Sequence, residues 1–94
     1  MRDNAAQNRF ELDLGGGLAV LDYQRRGQVL ALNHAEVPMA FAGQGVGSRL
    51  VREALELVRR RGEQVVPHCA FVVAYLRRHP EFDDLRAPPH AAHE

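Results

Sequence analysis

The chain contains no tryptophan, no lysine and only one cysteine, and these absences remove whole classes of function. A lone cysteine can neither build an internal disulfide framework nor supply the thiolates of a zinc ribbon. Without lysine, all 12 basic residues are arginine, and they balance 12 acids. A formally neutral chain exerts no bulk pull on nucleic acid or on an anionic membrane, so neither is expected as a partner. No apolar run approaches the roughly 18 residues of a membrane helix. Residues 1–8 lack the apolar centre of a signal peptide, and together these features predict a cytoplasmic protein. The 94 residues suit a single domain with a small core. With 46% hydrophobic and 26% charged residues, the composition is that of a globular domain rather than a disordered chain.

Along the chain, residues 1–8 are polar and read as a flexible N-terminal tail. Phe10, Leu12 and Leu14 then alternate with Glu11 and Asp13, the period of a half-buried strand. Gly15, Gly16 and Gly17 read as a hairpin turn into a second strand over 18–23. Residues 26–28 read as the turn into a third strand over 29–37. Strands so joined predict an antiparallel meander, closed by Pro38, which has no amide hydrogen to donate. Past a glycine-rich loop at 42–47 the period becomes helical. Val46, Leu50, Val51, Ala54, Leu55 and Val58 share one face, and arginines and glutamates cover the other. Arg59, Arg60 and Arg61 suit the negative end of the helix dipole, and Gly62 suits a C-cap. Residues 64–67 read as a short strand and 69–79 as a second helix stopped by Pro80. The expected organisation is one compact domain over 9–86 and a flexible C-terminal tail over 87–94. The expected class is α+β, a mostly antiparallel sheet with two helices.

The junction of glycine loop and helix is the strongest functional signal. Glycine lets backbone approach a ligand closely. The first amides of a helix lack internal partners, and the dipole there is positive, so a phosphate or pyrophosphate fits. The same spelling also suits a plain turn. The loop lacks the Lys-Ser/Thr of a nucleotide P-loop, and antiparallel strands precede it, which excludes a dinucleotide-binding βαβ unit. Elsewhere, His34 and Glu36 lie two apart on a strand and share a face. Either can act as a base, directly or through water, or the pair can simply decorate a polar sheet face. The pair lacks a third ligand at suitable spacing, and His90 and His93 sit in the tail, so no metal site is expected.

Three segments in order carry a resemblance: His34-Ala35-Glu36-Val37-Pro38, then Gly43-Gln44-Gly45-Val46-Gly47-Ser48, then Pro67-His68-Cys69 running on to His79-Pro80. Over about residues 9–86 the chain resembles compact members of the GNAT superfamily of acyl-coenzyme A-dependent acetyltransferases. The resemblance implies a truncated GNAT fold with acetyl-CoA or coenzyme A as co-substrate. It implies a pyrophosphate site at Gly43, Gln44, Gly45, Val46, Gly47 and Ser48, and an acyl-pantetheine arm along the backbone of Ala35 and Val37. It also implies Tyr75 as the acid for the departing thiolate, a residue that suits packing beside Phe71 as well. Cys69, at a helix start with His68 or His34 as base, can take an acetyl group from the thioester. It also heads the stripe Cys69, Val72, Val73, Leu76, which suits a buried inert thiol.

There are departures from the superfamily pattern. Ala42 stands where Arg or Gln is usual, and only Gly15, Gly16 and Gly17 join the first two strands, where larger members carry helices that wall the acceptor site. The last two strands are missing. The function so implied is acetyl-CoA-dependent N-acetyl transfer to an unidentified small-molecule or protein amine. The alternatives are a non-catalytic CoA-binding module and a protein-interaction domain. Apolar sheet edges leave monomer and homodimer both open.

Overall fold

The computed structural model describes residues 1–88, in which one sheet carries five strands in sequence order. They are β1 (Arg2–Asn4), β2 (Arg9–Asp13), β3 (Leu18–Arg26), β4 (Val29–Glu36) and β5 (Gln64–Pro67). The first four pair antiparallel, and β5 joins β4 in parallel after a crossover through α1 (Val46–Arg60). A second helix, α2 (Ala70–Arg78), and a 3-10 stretch over Pro80–Leu85 complete the order. This is an α+β fold with a mostly antiparallel sheet and two main helices, as the sequence implies.

Alternation along the strands builds the core. Phe10, Leu12, Ala19, Leu21, Leu30 and Leu32 are buried and point to one face. Onto that face α1 lays Leu50, Val51, Ala54, Leu55 and Val58, and α2 lays Val72, Tyr75 and Leu76. The opposite face carries Arg9, Glu11, Asp22, His34 and Glu36. The end of α1 is a Schellman motif. The Glu63 amide donates to the Val58 carbonyl at 3.0 Å, the Gly62 amide to Arg59 at 3.1 Å, and Gly62 takes φ +69°.

Residues 1–8 are not a tail. Arg2–Asn4 pair with β2, and the Ala5–Gln7 turn joins the two strands. The cause is non-local. Glu11, only 2% exposed, accepts from Arg2, from Asn4 Nδ2 at 3.0 Å and from Arg9 Nε at 2.7 Å. Asp3 accepts from the Tyr23 hydroxyl at 2.6 Å and from Arg61 at 2.7 Å. Polar residues that look solvated in isolation are thus the clasp that adds a strand. At the other end, the Ala87 amide donates to the Val65 carbonyl at 2.8 Å and Ala87 is buried. Ala87 is therefore packed on the domain rather than part of the expected tail, and residues 89–94, with His90 and His93, lie outside the described residues. No helix among the described residues is long and apolar enough to cross a membrane.

The clasp predicts an acid response. Hydrogen bonds from Arg2 first, then Asn4 and Arg9, hold the Glu11 carboxyl at about 2, below its usual 4.5. A depressed carboxylate stabilises the fold above its unfolded pKa, and that contribution is lost as pH falls toward the folded value. Amide exchange protection of β1 should therefore fade between about pH 4.5 and about pH 2. In Glu11→Gln it should already be weak at neutral pH, with little further change on acidification. Protection of residues 2–4 that stays flat across that window would contradict the clasp.

Candidate functional site

The site begins where two parallel strands part. β5 tracks β4 from the Val29–Gln64 pair to the Leu32–Pro67 pair, then turns into α2. Both the His68 and the Cys69 amides donate to the Leu32 carbonyl, at 3.0 and 3.1 Å, which ends the pairing. β4 runs on to Glu36 with no β5 partner, so its far end presents a free edge. Across β3, Asp22 opposes His34 and Tyr23 opposes Leu32, leaving Asn33 without a partner. This bulge resets the alternation. Ala35 and Val37 consequently face the core side, and His34 and Glu36 face the other way.

From the free edge the chain passes Pro38 and a short turn, Met39–Phe41, before reaching the glycine loop. Gly43 and Gly45 adopt φ of +79° and +74°, the left-handed region that favours glycine. Gly45 is the N-cap of α1 and offers no side-chain cap. Helical bonding starts when the Arg49 amide donates to the Gly45 carbonyl at 3.0 Å, so the amides of Val46, Gly47 and Ser48 precede it. Phe71, on the first turn of α2, is 40% exposed and sets its ring tip against Gly47.

These parts surround a cleft of about 450 Å³. It is lined by the end of β4 at Ala35 and Val37, by Phe41 through Gly43, by Gly45 through Ser48, and by Phe71. None of the lining residues carries a charged side chain. Arg49, one residue beyond, is paired with Glu53 at 2.7 Å. The donor set is therefore main chain plus one hydroxyl, flanked by apolar surface. An uncapped helix start suits an anion, and an unpaired strand edge suits an extended chain. Another hollow, about 280 Å³, lies beside Met1, Arg2, Glu11, Asp13 and Leu18, but its buried carboxylate already has three donors.

The structure separates the sequence candidates. The glycine-loop residues Gly43, Gly45, Val46, Gly47 and Ser48 line the cleft together with Ala35, Val37 and Ala42, while Gln44 is exposed beside them. His34 Nε2 and Glu36 Oε2 lie 3.3 Å apart as an exposed pair on the helix-free face. Tyr75 does not line the cleft. It is 2% exposed, stacks on His79 with ring centroids 4.1 Å apart, and leans on Phe82 at 6.2 Å. Burial pushes its hydroxyl pKa up. The partner expected for it, Phe71, points to Gly47 instead. Cys69 is half-buried against the core as the N-cap of α2 and is likewise absent from the cleft lining. Among the described residues, no three His, Cys, Asp or Glu gather as a metal site would need. Sequence reasoning missed Phe41 and Phe71 as cleft walls. Both are aromatic residues outside buried stripes, which is the signal that marks them.

Residues 9–85 match the family of GCN5-related N-acetyl-transferases. Protein NATD1 of Mus musculus is 30% identical over 77 residues, spanning 79% of this chain and 70% of that protein. Protein NATD1 of Homo sapiens is 32% identical over 77 residues, spanning 79% and 68%. A GCN5-like protein of Staphylococcus aureus solved by NMR superposes with a TM-score of 0.66. It is 24% identical and covers 93% of this chain and 90% of its own, a likeness of fold.

Proposed function

We propose, from the premise that this chain belongs to the GCN5-related N-acetyl-transferase family, that it transfers an acetyl group from acetyl-CoA to an amine. One observation carries the reading: the free edge of β4 leads, across an apolar cleft, to an uncapped helix start set by two left-handed glycines. The amides of Val46, Gly47 and Ser48 would hold the diphosphate, and the main chain at Ala35 and Val37 would align the pantetheine arm as an added strand. Bound acetyl-CoA supplies an activated thioester. The strand-edge amides would polarise its carbonyl, so that the acceptor nitrogen can add to that carbon and form the new C–N bond before the C–S bond breaks and coenzyme A leaves as its thiolate, to be protonated by water. Since no lining side chain is ionisable, the proton leaves the amine through water. The exposed His34–Glu36 pair sits on the same strand end but on the opposite face from Ala35 and Val37, so a relay role for it would run through water.

That same lack of ionisable lining supports a second reading, a module that binds CoA without turnover. Thiol release from acetyl-CoA, followed across a polyamine, a peptide amino terminus and a lysine peptide, separates the two. Release that depends on one acceptor supports transfer. Tight CoA binding with no acceptor-dependent release supports the module. Cleft chemistry also predicts a gain of function. Ala42 is exposed and lines the cleft, so Ala42→Arg should tighten CoA binding about fivefold through one new charge–phosphate contact, read by calorimetry. An unchanged affinity would mean that a side chain at 42 points away from the phosphates.

A further inference from the structure

Phe41 is a wall of the cleft, yet what seats it comes from a distant part of the chain. The β2–β3 hairpin turn lies directly beneath it. A Cβ added at Gly16 would stand 3.5 Å from Phe41 Cζ, and one added at Gly17 would stand 3.1 Å from Pro38 Cγ and 3.7 Å from Phe41 Cε2. Neither glycine has positive φ, so backbone geometry does not require glycine at either position. Gly15 is the reverse case, with φ +83° and nothing within 4 Å of its Cβ position. Within one turn, then, Gly15 serves the bend, while Gly16 and Gly17 leave room for Pro38 and Phe41. Those two residues sit in the link between the free edge of β4 and the glycine loop.

We infer that Gly17, which does not itself line the cleft, is a positioning residue for it: the bare hairpin tip sets where Pro38 and Phe41 lie, and through them how the free edge of β4 faces the start of α1. A side chain there tilts the wall, whereas strain at Gly15 stays in the turn. The affinity arm of the test rests on the proposed CoA reading, and the ligand-free arm does not.

Gly17→Ala and Gly15→Ala are compared as the full chain. In ligand-free NMR spectra Gly17→Ala should move the amide resonances of residues 41–48, and Gly15→Ala should leave them in place while lowering the unfolding temperature. Gly17→Ala should also weaken CoA binding by about tenfold, the scale of a sub-ångström misplacement, with Gly15→Ala near wild type. In a Phe41→Ala background, adding Gly17→Ala should weaken CoA binding distinctly less than it does in wild type, a coupling that a merely structural role would not produce. The inference is overturned if both variants perturb residues 41–48 alike, if Gly17→Ala perturbs none of them, or if the Gly17 and Phe41 effects simply add. Should the wild type take up no CoA, the functional reading fails while the ligand-free spectra still decide the positioning role.

Discussion

Gly45→Val is expected to abolish most coenzyme A binding while leaving the protein folded. At φ +74° a β-branched residue is a backbone outlier, at a cost of roughly 1–2 kcal/mol, so the loop must rotate away. Nothing lies within 4 Å of the added Cβ and Gly45 is exposed, so the strain falls on the loop rather than on the core. What changes is the direction of the amides that follow. Losing two charge-assisted amide–phosphate bonds at about 1.5 kcal/mol each weakens binding by more than about 100-fold. Gly27→Val is the control. That glycine has φ +60° and equally open surroundings, but sits in the β3–β4 turn. It should cost similar stability and leave CoA affinity intact. Calorimetric titration of both variants checks this. Equal losses in the two, or none in Gly45→Val, would remove the glycine loop from the site.

Tyr75 provides the second large effect, and two substitutions of one residue separate packing from proton transfer. The ring fills space between α2 and the Pro80–Leu85 stretch, stacked on His79 and tilted against Phe82. Tyr75→Ala should destabilise the fold by about 3 kcal/mol, as removal of a buried aromatic ring does, a large share of the stability of so small a domain. Tyr75→Phe keeps the ring, and the hydroxyl has no place in the cleft lining. It should therefore unfold at nearly the wild-type denaturant midpoint and retain the wild-type rate of thiol release. A general acid would show the opposite pattern, a rate loss on the order of 100-fold with stability unchanged.

Much of this architecture is legible in the sequence because it is set by local rules. The stripe from Leu50 to Val58, the C-terminal Gly62 and the alternation of Phe10 and Leu12 each announce an element within a few residues. The glycine loop is legible for the same reason, since positive φ at Gly43 and Gly45 is a local demand. What escapes is non-local. The pairing of Arg2–Asn4 depends on Glu11 lying opposite, which polarity alone does not disclose. That His34 and Glu36 share a face is plain from their spacing, but which face depends on the unpaired Asn33, a bulge set by β3. Tyr75 and Phe71, four residues apart on one helix, look like neighbours. The structure sends one to Phe82 and the other to Gly47, because partners 7 and 24 residues away in the sequence compete for them.

The central claim is that the uncapped start of α1 and the free edge of β4 form one ligand site. Titration of acetyl-CoA into the isotope-labelled protein, followed through the backbone amides, tests it most directly. The account predicts saturable shifts concentrated at residues 43–48, together with Ala35 and Val37, and little change at β1 or the Glu11 clasp. An absence of saturable shifts, or shifts centred on the hollow beside Arg2 and Glu11, would contradict it.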